Sequence, residues 1–67
     1  MNTNQIPELI ISFKAISGIG EKFDYRNQTH MEMLYDYLIS KAVIDGMTLP
    51  QFYSFFNKVK TVLRMGY

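Results

Sequence analysis

Residues 42–52 read Ala42-Val43-Ile44-Asp45-Gly46-Met47-Thr48-Leu49-Pro50-Gln51-Phe52, and the reading of this stretch decides the fold. Asp45-Gly46 stops a helix, because glycine takes the left-handed conformation that follows a helix end. Thr48 then offers a hydroxyl to cap a new helix, and Pro50 suits a first turn, where its missing N–H is not needed. Helices joined by so short a turn form an antiparallel hairpin.

Working outward, both flanks carry a helical period. Upstream, Thr29-His30-Met31-Glu32 has the spacing of a capping box, and Met31, Leu34, Tyr35, Leu38 and Ala42 share one face. Met33, Tyr37 and Ile44 fall elsewhere around that helix. Downstream, Phe52, Phe55, Phe56, Val59, Val62 and Leu63 form a stripe too wide for a single surface helix. A third periodic segment lies near the N-terminus, where Ile6, Leu9, Ile10, Phe13 and Ile16 recur. Asn4 or Thr3 suits its cap, Pro7 and Glu8 its first turn, and Gly18 its stop. Strand-like alternation is sustained nowhere. The expectation is an all-α single domain over residues 1–67, with helices over about 4–17, 29–45 and 48–65. The linker from 18 to 28 is long for so small a domain, so it is functional or contains a short element of its own.

Sixty-seven residues lie near the lower limit for an independent core. With no cysteine, neither a disulfide framework nor a Cys-based metal site supplies extra stability. The N-terminus has no basic region followed by an apolar run, and no segment approaches the roughly 20 apolar residues of a membrane span. The expected location is the cytoplasm, with no membrane partner. The formal net charge is +1, too balanced to predict nucleic-acid binding from charge alone. Hydrophobic residues make up 48% of the chain, with five Phe, five Tyr and five Met. Three short helices have few interior positions, so part of this apolar surface lies outside and implies a partner, a second copy included.

Two stretches resemble nucleic-acid devices. Ser17-Gly18-Ile19-Gly20-Glu21-Lys22 follows an apolar helix and resembles the hairpin of helix-hairpin-helix DNA-binding modules. That resemblance implies that Gly18 and Gly20 let the backbone approach a phosphate, with Lys22 adding charge. Ala42, Gly46 and the Thr48 helix start resemble the turn of helix-turn-helix proteins, which implies a recognition helix beginning at Thr48. Helix termination at Gly18 is the favoured reading of the first pattern, and a short antiparallel helix hairpin that of the second.

A third candidate is the outer face of the last helix, where Tyr53, Asn57, Lys60 and Arg64 recur at helical spacing. Aromatic and basic side chains together suit an acidic protein partner or a phosphate backbone. Phe55 joins this partner-binding set as an aromatic anchor. Catalysis is not expected: the chain has one histidine, no cysteine, and no evident carboxylate pair. No cofactor and no metal are expected either.

The resulting expectation is a small dimeric interaction or regulatory protein, of antirepressor, inhibitor or adaptor type. Its Asn-, Ile-, Lys- and Tyr-tinged composition is compatible with an AT-rich bacterial, plasmid or phage gene. The alternative is a small dimeric DNA-binding regulator using the Gly-Ile-Gly loop or the third helix.

Overall fold

A computed structural model describes residues 3–66, with only the backbone of Thr3 included. Residues 1, 2 and 67 of the expected domain lie outside the described residues. Three helices form: α1 (Ile6–Ser17), α2 (Gln28–Ile44) and α3 (Leu49–Arg64). Short 3-10 turns lie at Thr3–Gln5 and Gly20–Lys22, and there is no strand among the described residues. The longest dimension is 30 Å, and a 17-residue helix such as α2 spans about 25 Å at 1.5 Å per residue. One helix therefore sets the size of the molecule.

The ends of the helices explain their bounds. Before α1, Gln5 occupies the cap position and makes no side-chain cap bond, so neither Asn4 nor Thr3 opens the helix as expected. The chain enters instead through the Thr3–Gln5 turn, with Pro7 in the first turn of α1. Gly18 ends α1 at φ 77°, as its left-handed freedom predicts.

The cap of α2 is a second correction. Asn27, not Thr29, opens the helix, its side-chain oxygen accepting the His30 amide at 3.2 Å. Glu32 does not reach back to a cap; its Oε1 accepts from Gln28 Nε2 one turn earlier, at 3.1 Å. For α3 the expected cap is present. Thr48 Oγ1 accepts from the Gln51 amide, while Gln51 Oε1 accepts from the Thr48 amide, so two donors at the helix start are satisfied reciprocally.

The core lies between the helices. Ile6, Ile10 and Phe13 come from α1, Leu34, Leu38 and Ala42 from α2, and Phe52, Phe55, Val59 and Leu63 from α3. Every one of these is apolar, and no polar or charged side chain is buried among the described residues. Hydrophobic burial is then the main favourable contribution, at about 25 cal/mol per Å² removed from water. Ile16, expected on the inner stripe of α1, is instead 72% exposed because α1 makes its last buried contact at Phe13.

Two aromatic clusters join the elements. Phe13 of α1 meets Phe23 edge-on at 5.6 Å and Tyr37 of α2 at 5.7 Å, while Phe23 stacks on His30 at 5.9 Å. Across α2 and α3, Tyr35 meets both Phe52 and Phe56 edge-on at 5.2 Å, the arrangement that brings a ring's positive edge to a negative face.

Candidate partner-binding site

The second cluster is the floor of a groove of about 550 Å³ between α2, α3 and the linker that precedes α2. Tyr25, Met31 and Tyr35 line one side, and Phe56 the other. Asn57, Lys60, Thr61 and Arg64 continue the α3 wall, while Gln28 and Glu32 complete the α2 wall. The expected α3 face is therefore one wall of a concave surface.

Its residues are divided by register. Tyr53 is 52% exposed and stands beside the Tyr35 hydroxyl without lining the groove. Burial pushes the Tyr35 hydroxyl above its ordinary value, and the bond to Tyr53 adds to the shift by favouring the neutral form. Asn57, Lys60 and Arg64 are exposed. The ammonium of Lys60 lies 5.5 Å from the centre of the Phe56 ring, a cation–π contact that holds the charge over the groove. Phe55 is the correction: at 5% exposure it belongs to the core, pointing to the same side of α3 as Phe52 and Val59. It cannot anchor a partner without unfolding the helix.

Some contributors were not anticipated. Tyr25 comes from the linker, and Arg26 lies 5.6 Å over its ring. The Tyr25 hydrogen bond, with smaller help from Asp24, raises the Arg26 guanidinium further above its already high value. The signal available beforehand was the aromatic beside a cation in Tyr25-Arg26; its position over α2 required the folded linker.

The linker also holds the Gly-Ile-Gly stretch expected to approach a phosphate. Gly18 and Gly20 both take positive φ, at 77° and 58°. Three amides nearby are used internally: Ile19 N–H donates to Ser17 Oγ, Lys22 N–H to the Ile19 carbonyl and Phe23 N–H to that of Gly20. Lys22 is exposed at the end of this 3-10 turn. Asp24 then starts a turn, accepting the Arg26 amide at its Oδ1 (2.9 Å) and the Asn27 amide at its carbonyl (2.9 Å). The Asp24 amide itself donates to His30 Nδ1 at 3.1 Å. The loop residues thus fold onto each other and onto α2, building a helix end and a turn.

At the other turn, Gly46 takes φ 79° and the Met47 amide donates to the Ala42 carbonyl at 2.9 Å, closing α2. Leu49, Pro50 and Gln51 are the exposed residues at the start of α3, where base-reading side chains would stand in a recognition helix.

A smaller groove of about 310 Å³ lies between α1 and α2. Glu8, Lys41 and Asp45 mix their signs there, so it favours no one charge. Among the described residues no three His, Asp or Glu side chains come together as a metal site would require. No helix is long and apolar enough to cross a membrane among those residues. No family model, curated protein or solved structure matches this chain.

Proposed function

We propose that this chain is a small interaction or regulatory protein, of the antirepressor, inhibitor or adaptor type, that works by occupying a surface of another protein. The observation that carries the reading is a groove lined by Tyr25, Met31, Tyr35 and Phe56, with Tyr53, 52% exposed, beside Tyr35. An exposed aromatic beside a concave, part-apolar surface has the chemistry of a protein-binding anchor. A cytoplasmic partner suits a chain without cysteine.

Two further features belong to this reading. α2 and α3 form an antiparallel hairpin, supported by Tyr35 touching Phe52 and Phe56 while Gln28 and Arg64 share the groove. A homodimer is supported by Val43, Ile44 and Leu49, which are 71%, 83% and 55% exposed around the connecting turn.

Size exclusion with light scattering tests the reading, at low and high salt, with and without a generic DNA duplex. The expected result is a salt-insensitive dimer whose mass the duplex leaves unchanged. A duplex-dependent increase that disappears at high salt and in Lys60→Ala would overturn it in favour of a DNA-binding regulator, since counterion release makes phosphate binding salt-dependent.

A further inference from the structure

The α2–α3 groove is polarised along its length. At one end Tyr35 presents its ring and hydroxyl, with Tyr53 just outside the lining, and Phe56 continues the apolar floor. Lys60 stands over the Phe56 ring, and Arg64 stands one helical turn further toward the other end. Neither cation has an acidic partner among the described residues, although Glu32 stands on the opposite wall. Glu32 already accepts a hydrogen bond from Gln28, so the carboxylate in reach is directed along α2. From Phe56 to Arg64 the α3 wall runs about 12 Å at 1.5 Å per residue, a little over two helical turns.

We infer that this groove receives an acidic amphipathic peptide segment of the partner, its apolar or aromatic side chain against Tyr35 and Phe56 and its carboxylates on Lys60 and Arg64. The inference rests on the protein-binding reading and names the partner's chemistry. Charge complementarity selects an acidic occupant: two cations face one carboxylate, and a basic segment would meet Lys60 and Arg64 unpaired. The floor selects a peptide over a nucleic-acid backbone. A phosphodiester chain laid on Phe56 and Met31 would lose water from its charged oxygens without gaining hydrogen bonds there, and it would pass the Glu32 carboxylate. A helix laid in a groove meets each need, with an anchor and acidic residues on neighbouring turns.

The test is selection of a random 12-residue peptide display library on the immobilised chain. Enriched peptides are then made with a fluorescein label and titrated by polarisation. The expected peptides join a large apolar residue to two or more Asp or Glu. Their Kd rises at least about tenfold in the double variant Lys60→Glu with Arg64→Glu, and falls about twofold in Glu32→Gln, where one repulsion is removed. All three positions are exposed, and unchanged helical circular dichroism separates lost binding from lost folding. Peptides without acidic bias, or binding that survives the double charge reversal and is lost in Val43→Lys with Ile44→Lys, would sink the groove inference and leave the protein-binding reading standing. Absence of any enriched peptide also overturns it. If that absence accompanies a salt-sensitive duplex shift, the protein-binding reading falls with it.

Discussion

Tyr53 and Phe55 are two residues apart, yet one is 52% exposed and the other 5%. On a helix two positions differ by about 200° of rotation, so these rings point to nearly opposite sides. Phe55 falls with Phe52, Val59 and Leu63 on the buried side, and the spacing of those four is visible in the sequence. What misleads is composition: an aromatic-rich run suggests anchors wherever it is read. Substitution separates the two roles. Phe55→Ala is expected to cost about 3–5 kcal/mol in urea unfolding followed by circular dichroism, whereas Tyr53→Ala stays within about 1 kcal/mol. Equal losses at both positions would contradict the packing described. Tyr35 offers a check by pH. Its hydroxyl is held above the ordinary tyrosine value, so the folded state retains a proton the unfolded state has released. The contribution to stability is full below about pH 10 and is lost as pH rises through the raised folded value. Absorbance at the phenolate band should show a component titrating above that range, absent in Tyr35→Phe.

At the scale of an element, the start of α2 shows how two sound capping signals compete. Thr29 with Glu32 and Asn27 with the His30 amide both satisfy the chemistry of a helix start. Asn27 wins because the Asp24–Asn27 turn delivers the chain in extended geometry there, at φ −83° and ψ 117°, while Glu32 is taken by Gln28. Asn27→Ala should therefore cost about 1 kcal/mol and speed amide exchange in the first turn of α2. Thr29→Ala should change stability by less than about 0.5 kcal/mol. The end of α1 makes a cleaner case. A Cβ at Gly18 would touch nothing within 4 Å, so Gly18→Ala tests conformation alone. With φ at 77° it should lose about 1–2 kcal/mol in thermal or urea unfolding. No loss there would mean that the left-handed helix end is not maintained in solution.

At the scale of the whole molecule, the core is small and each of its members carries a large share. A domain below about 70–80 residues has only about 3–5 kcal/mol of stability to lose. Leu38, wholly buried in α2, removes about 2–5 kcal/mol when cut to alanine. Leu38→Ala is then expected to be substantially unfolded at 37 °C by far-ultraviolet circular dichroism, and a wild-type-like melt would show that the core is held by more than these side chains. The same scale governs the surface. Ile11, Ile16, Val43, Ile44 and Met65 stay more than half exposed because three short helices enclose too little volume to take them in.

The local signals in this chain were determined by the sequence itself. A helical period, a left-handed glycine at 18 and 46, and a threonine cap at 48 are properties of a few adjacent residues, and they can be read without any distant contact. The three helices and most of the core were legible for that reason. The linker turn, the choice of Asn27 as cap and the groove were decided only by tertiary structure. The groove joins Tyr25, Tyr35, Phe56 and Arg64 from three separate segments, and no periodicity within one segment can encode their meeting. Its rings and charges become a surface because the folding of α3 against α2 buries Phe52 and Phe55 and leaves Phe56, Lys60 and Arg64 along the seam.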